Sequence, residues 1–236
     1  MRPPSKLRGV TSCTVDPMPT TDNAPARRDA RRNRERLLEC ARRAFADRGA
    51  GAALDGIARD AGLVVGTLYR HFPTRLDLLC AVLEPKLRRV VGEVTAATGL
   101  DDPWEGLRTL LEVLGTAQAG DQAFADFLAR RFPGDERTEA VHNEICALSQ
   151  GVLDRAQAAG VVRPDVTGAD LFLVLWASAR IAEVTWHASP SLWRRHMHLA
   201  LDGFRASDRL YLGETAWNAN QLFRAVTGQG AHSPAR

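Results

Sequence analysis

Four polar side chains lie within five residues of this 236-residue chain, at Thr67, Tyr69, Arg70 and His71. Hydroxyl, guanidinium and imidazole groups suit hydrogen bonds with phosphates and base edges, and they are poorly suited to filling an apolar core. A catalytic or metal-binding role for His71 is not supported, because no second His, Asp or Cys adjoins it. The cluster therefore predicts contact with DNA.

Two short helices and a glycine turn must hold this cluster in place. The sequence predicts one helix over residues 54–61, a turn at Gly62 and a second helix over residues 65–71, with Leu68 and Phe72 as core anchors. This arrangement is typical of a helix-turn-helix, in which the second helix enters the major groove of DNA.

The flanking residues predict two further helices, one beginning near Asn33 and one capped by Thr74. The arginines that precede Asn33 would form a flexible cationic arm. Such an arm can enter a minor groove or follow the phosphates, and a solvated leader is an equally good interpretation. These arginines are Arg27, Arg28, Arg31 and Arg32.

Residues 60–75 read Asp-Ala-Gly-Leu-Val-Val-Gly-Thr-Leu-Tyr-Arg-His-Phe-Pro-Thr-Arg, and they resemble the helix-turn-helix of the TetR family of bacterial transcriptional regulators. The resemblance is specific over residues 31–90 and weaker elsewhere. It implies phosphate contacts from Tyr69 and His71, base contacts from Thr67 and Arg70, and a phosphate contact from Arg75, for which a solvated cation is the alternative. The DNA-binding residues that it implies are Arg31, Arg32, Val65, Gly66, Thr67, Tyr69, Arg70, His71, Thr74 and Arg75.

The chain departs from the common family pattern at the starts of two helices. Val64 and Val65 stand where Ser-Lys is usual, and Ala53 stands where a Thr or Ser cap is frequent. A lost hydroxyl cap costs ~1 kcal/mol. The departure favours van der Waals contacts with DNA, such as Val65 against a thymine methyl group.

Composition and charge limit the class of protein. Hydrophobic residues make up 45% of the chain, and no apolar run is long enough to span a membrane, so we expect a folded protein with no membrane partner. The scattered cysteines favour reduced thiols in a cytoplasmic protein over disulfides or a metal site, and a redox-sensing role for one of them is the alternative; they are Cys13, Cys40, Cys80 and Cys146. Residues 27–94 carry 15 basic and 9 acidic side chains, whereas residues 95–236 carry 13 and 17. This asymmetry of charge fits a basic DNA-binding head joined to a mildly acidic body with a different function.

The pattern after Gly99 remains helical and contains no alternation typical of strands. We therefore predict an all-α fold, with an N-terminal three-helix DNA-binding domain and a C-terminal helical domain for ligand binding and dimerisation. The expected divisions are a disordered leader (1–26), the helix-turn-helix domain (27–76), the helical body (77–206) and a partly disordered tail (207–236). The sequence predicts a fifth helix around residues 104–114, a short sixth around residues 124–128, a seventh over residues 141–160, an eighth over residues 168–184 and a ninth over residues 191–206. The eighth is apolar nearly all round and is expected to be buried.

The resemblance implies an apolar ligand cavity enclosed by the fifth to eighth helices, and simple packing of the aromatic residues is the alternative. His142, Arg180 and His187 are the polar groups that could orient a ligand. Arg180 requires a carboxylate across a dimer, a ligand anion, or exposure at a helix end. The expected ligand-binding residues are Trp104, Leu107, Leu111, Phe124, Phe127, His142, Ile145, Trp176 and Arg180.

These features favour a repressor that a small apolar effector releases from a palindromic operator on double-stranded DNA. We expect no cofactor and no enzymatic activity. A homodimer would form through the last two long helices, with its apolar stripe at Leu171, Leu175, Trp193, Met197, Leu201 and Phe204. The rival interpretation is an all-helical enzyme or small-molecule carrier with an incidental basic head, but no catalytic motif supports it.

Overall fold

The computed structural model describes residues 24–129, 136–206, 217–218 and 221–222, and these residues fold almost entirely into α-helices. One isolated bridge joins Val162 to Arg205. The helices are α1 (Ala24–Arg48), α2 (Leu54–Asp60), α3 (Val65–His71), α4 (Arg75–Thr98), α5 (Pro103–Gln118), α6 (Gln122–Leu128), α7 (Glu136–Ala158), α8 (Gly168–Thr185) and α9 (Leu192–Asp202). A single 3-10 turn, Gly49–Gly51, follows α1. The all-α prediction is therefore confirmed.

The helix-turn-helix comprises α2 and α3. Gly62 has a φ of 67°, which lets the chain turn sharply between the two helices, and a side chain there would collide with Arg36. Leu68 and Phe72 are buried against α1 and α2. Thr74 begins α4 with a capping box, in which its hydroxyl accepts from the N–H of Asp77 (3.1 Å).

The first helix begins at Ala24 rather than near Asn33, and it carries the four arginines that were expected on a flexible arm. Ala and Arg are good helix formers, and Pro25 in the first turn does not interrupt an α-helix, so no residue stops the helix before Asn33. The arm prediction is wrong. Residues 1–23 of the expected leader lie outside the described residues.

Helix α4 leaves the head and enters the body, where it packs against α5 and α7. Helices α8 and α9 pack against each other, and both contact α5. One continuous apolar core runs through both parts of the chain. In the part of the chain that the structure describes, no helix is both long enough and apolar enough to cross a membrane.

Helix α8 is not buried on all sides, contrary to the sequence prediction. Leu171, Leu175 and Ala182 face the core, whereas Leu173 is 39% exposed and Val184 is 74% exposed. The sequence pattern could not separate these two faces, because both are apolar.

Candidate DNA interface and ligand cavity

Helix α3 presents one face to the core and the other to solvent. Leu68 is fully buried, and the next residue, Tyr69, is 49% exposed. Arg70 is exposed beside Tyr69, and His71 is partly exposed at the end of the helix. Gly66 adds an open position, since a Cβ there would meet no atom within 4 Å. The buried face fixes the helix, and the outer face is available to a DNA groove.

Thr67 occupies a different position from its polar neighbours. Its side chain is buried, and its hydroxyl accepts a hydrogen bond from Nη2 of Arg70 (2.8 Å). In this structure Thr67 therefore supports the guanidinium of Arg70 rather than presenting its own hydroxyl to a base.

Two expected phosphate ligands also have partners within the head. Nη1 of Arg75 donates to the carbonyl oxygens of Ala50 (2.9 Å) and Ala52, and it thereby holds the segment that precedes α2. Thr74 donates its hydroxyl to the carboxylate of Asp77 (2.8 Å). Both side chains have a structural role before any DNA is bound.

The starts of α2 and α3 lack side-chain caps, as the sequence indicates. Neither Ala53 nor Val64 makes a capping hydrogen bond from its side chain. On α1, Arg31 is exposed and lies 3.6 Å from Glu35, and Arg32 is exposed as well. Sequence reasoning overlooked Arg34, which lies over the ring of Phe72 (5.1 Å) and connects α1 to the end of α3.

A cavity of about 300 Å³ lies between α5, α6, α7 and α8. This volume is at the small end of the range for small-molecule sites. Its wall is mainly aliphatic, and Leu222 from beyond α9 completes it. Among the described residues, the lining side chains include Gln118, His142, Asn143, Cys146, Ser149 and Gln150, and none of the described lining residues is Asp, Glu, Lys or Arg.

Four of the expected ligand-binding residues line this cavity, namely Leu111, His142, Ile145 and Trp176. The other five are not among the residues that line it. Leu107, Phe124 and Phe127 are buried in the core, where the two phenylalanine rings pack at 5.9 Å. Trp104 is covered by the guanidinium of Arg205.

Arg180, the fifth of these residues, is exposed and pairs with Glu183 one turn along α8. Within the single chain, Arg180 is exposed five residues before the end of α8. His187 is likewise exposed and lies outside the cavity wall.

His142 contacts residues on both α6 and α7. Its Nε2 lies 3.2 Å from the carbonyl oxygen of Leu128 on α6, and its Nδ1 lies 3.5 Å from Sγ of Cys146. Its ring also packs edge-on against Phe127 (6.0 Å). Sequence reasoning overlooked Cys146, although the i, i+4 spacing from His142 places both side chains on one face of a helix.

Helix α6 joins the cavity to the head. Ala125, Leu128 and Ala129 line the cavity, and the carboxylate of the neighbouring Asp126 accepts a hydrogen bond from the backbone N–H of Ala50 (3.2 Å). Asp126 is 8% exposed, so this contact is shielded from water. On the same helix, Asp121 pairs with Nζ of Lys86 on α4 at 2.5 Å. Motion of α6 would therefore reach the contact with the head at Ala50 and the ion pair with α4 at Lys86.

Comparison with known proteins agrees with this architecture. Residues 37–82 match the bacterial regulatory proteins of the tetR family, and residues 102–206 match the C-terminal domain of SbtR-like transcriptional regulators. A TetR transcription regulatory protein from Mycobacterium vanbaalenii is 33% identical, over 77% of this chain and 99% of that one, with a TM-score of 0.46.

Two further relatives extend the comparison. The HTH-type regulator TtgW of Pseudomonas putida is 28% identical over 53% of this chain and 92% of that protein. The regulator FadR from Bacillus subtilis, solved in complex with stearoyl-CoA, is 16% identical over 72% of this chain and 98% of that one, with a TM-score of 0.52.

A helix-turn-helix head attached to a helical body with a cavity defines a DNA-binding transcriptional regulator. The chain belongs to the TetR family of bacterial regulators.

Proposed function

We propose that this protein is a homodimeric repressor, and that a neutral, largely apolar small molecule in the cavity releases it from a palindromic operator. The observation that carries the proposal is the position of α6, which forms part of the cavity wall and bonds to the head through Asp126 and Ala50. The interpretation as an enzyme or carrier has no comparable support.

The outer face of α3 supports the DNA contact. Tyr69 and Arg70 are exposed on a helix that Leu68 and Phe72 fix from behind. In a two-fold dimer, two copies of this face would meet successive major grooves, which is why the operator is expected to be palindromic. Thr67 contributes by holding Arg70, and the exposed arginines of α1 add non-specific attraction to the phosphates.

The exposed faces of α8 and α9 support the dimer. The residues named for it from the sequence are not available, because Leu171, Leu175, Trp193, Met197 and Leu201 are buried in the chain's own core and Phe204 packs against it. Of the ten exposed large hydrophobic residues in the described chain, six lie on or between these two helices. A concentration of this kind is typical of a protein interface. The six residues are Leu173, Trp176, Val184, Trp186, Leu192 and Leu199.

The wall of the cavity supports a neutral ligand. A buried ionic group without a counter-charge is costly, and the lining residues in the described part of the chain supply no charged side chain. The structurally similar FadR was solved with stearoyl-CoA, whose phosphates would find no charged partner among the described lining residues of this cavity. A largely apolar molecule with one or two hydrogen-bonding groups would meet aliphatic walls and the polar side chains on α7.

The proposal is tested on the complex of the protein with DNA from upstream of its own gene. Fluorescence anisotropy follows release as neutral compounds are added, each paired with a carboxylate analogue of similar shape. We expect release by neutral members alone, with a coupling of about 1–3 kcal/mol. By linkage, operator DNA must weaken the compound's binding by the same factor. Equal release by the carboxylate analogues would contradict the ligand class, and bound compounds that leave the DNA affinity unchanged would contradict the mechanism.

A further inference from the structure

A thiol and an imidazole lie together at the cavity, in the geometry of an activated nucleophile. Cys146 and His142 lie one turn apart on α7, with Sγ 3.5 Å from Nδ1, and both residues line the cavity. We propose that Cys146 is a covalent modification site for neutral, largely apolar α,β-unsaturated carbonyl compounds that enter this cavity.

The hydrogen bond on the other side of the ring determines which nitrogen can act as a base. The carbonyl oxygen of Leu128 can only accept, so the neutral imidazole carries its proton on Nε2, 3.2 Å away. Nδ1 is then the acceptor, and it faces the thiol of Cys146. A thiol with an adjacent base that a third group orients is the arrangement found in activated cysteine nucleophiles.

The reaction is an addition in which nothing is oxidised. The thiol proton passes to Nδ1 of His142, and the sulfur of Cys146 bonds to the β-carbon of the unsaturated compound. The π electrons of the carbon–carbon double bond move to the carbonyl as an enolate, and the proton then passes from the imidazolium to the α-carbon. The carbonyl of Leu128 accepts from Nε2–H throughout, which stabilises the imidazolium.

Accessibility and the wall of the cavity determine the class of electrophile. Cys146 is exposed at the rim, so a compound can reach its sulfur, whereas Cys40 is buried in the head. The described side chains that line the cavity beside Cys146 are aliphatic or uncharged, which favours a neutral electrophile with an apolar group that can occupy the cavity. Release of DNA by such an adduct rests on the function proposed above, but formation of the adduct does not.

The test uses the full-length protein in the absence of DNA. It compares two maleimides that carry the same reactive group. N-Benzylmaleimide is neutral and apolar, and N-(2-carboxyethyl)maleimide is charged. Site-resolved mass spectrometry measures the alkylation rate at Cys146, with the partly buried Cys80 as the internal reference. We expect N-benzylmaleimide to modify Cys146 about tenfold faster than Cys80, and the charged reagent to show a much smaller preference. Equal rates at the two cysteines would overturn the proposal.

The role of His142 is tested by H142Q, which retains a polar side chain but cannot act as a base. We expect the rate at Cys146 to fall about a hundredfold while the rate at Cys80 is unchanged, since general-base assistance contributes at least about 10². An unchanged rate at Cys146 would overturn the assignment. In an operator-release assay, N-benzylmaleimide should release the wild-type protein from the operator and should leave the C146S variant bound. Selective alkylation that leaves DNA bound would support the covalent site and contradict the proposed function instead.

Discussion

The carboxylate of Asp126 accepts a hydrogen bond from the backbone N–H of Ala50 at 3.2 Å, and this bond joins the cavity wall to the DNA-binding head. The adjacent Gly49 has a φ of 67°, and a Cβ there would lie 2.6 Å from the same carboxylate. A glycine is needed at this position for both reasons. The junction between body and head is therefore closely packed, and a hydrogen bond of defined geometry holds it.

Removing the Asp126 carboxylate should weaken this junction. We expect D126A to lose about 1–3 kcal/mol of unfolding free energy, because the N–H of Ala50 loses its partner in a shielded position. Hydrogen exchange at Ala50 should accelerate in the same variant. The matched control is D154A on the exposed face of α7, which should change stability little. Unaltered exchange at Ala50 in D126A would show that the bond does not hold the head.

Tyr69 should contribute to DNA affinity without contributing to stability. Its side chain is 49% exposed on a helix held by buried neighbours, so Y69A should leave the melting temperature nearly unchanged. We expect operator affinity to fall about tenfold, which corresponds to about 1.4 kcal/mol. L100A, which truncates an exposed apolar side chain remote from α3, is the control and should bind normally. Normal operator binding by Y69A would place the DNA on another face.

Thr67 and Arg70 should act as a pair. T67V keeps the shape of the side chain but removes the hydroxyl that accepts from Nη2 of Arg70. We expect T67V to weaken operator binding less than R70A does, and we expect R70A combined with T67V to be no weaker than R70A alone. Operator titrations of the four proteins form a double-mutant cycle. Additive losses would mean that Thr67 contacts the DNA independently.

The dimer should depend on the exposed face of α8. Light scattering of the wild-type protein should give about twice the chain mass of 25.8 kDa. Introducing L173E and V184E together should give monomers, because two buried carboxylates on the interface would lack partners. L100E introduces a charge at an exposed leucine elsewhere and should remain dimeric. A dimeric double variant would locate the interface on other residues.

Filling the cavity should exclude an apolar probe. N-Phenyl-1-naphthylamine is neutral and brightens in apolar surroundings, and we expect it to bind the wild-type protein. A125F places a ring in the cavity and should reduce this signal, whereas A147F on the exposed side of α7 should not. Fluorescence titration at equal protein concentrations makes the comparison. Equal binding by the two variants would place the probe outside the cavity.

The sequence predicted the helix-turn-helix closely, because its boundaries are set by local signals. Gly62 requires a turn, Pro73 ends the helix before it, and Thr74 caps the next helix, so α3 was predicted with the bounds that it has. The start of α1 was missed because no residue between Ala24 and Asn33 stops a helix.

The body was harder to predict because periodicity identifies apolar faces without naming their partners. Leu171 and Trp193 belong to the apolar stripe that was expected to form the dimer interface, but both are buried in the chain's own core. Phe124 and Phe127 were expected to line the cavity, but they pack against each other instead. Whether apolar side chains enclose a space or fill it depends on the angles between helices, which residue spacing does not determine.

The measurement that most directly tests the account is an anisotropy titration of the wild-type protein with labelled DNA from upstream of its own gene. The titration is repeated over a salt series in the presence of unlabelled random duplex. We predict saturable binding that persists in the presence of the random duplex. The logarithm of the binding constant should fall linearly with the logarithm of the salt concentration, with a slope of about −0.9 for each phosphate contacted. Equal affinity for the upstream fragment and the random duplex at every salt concentration would contradict the account.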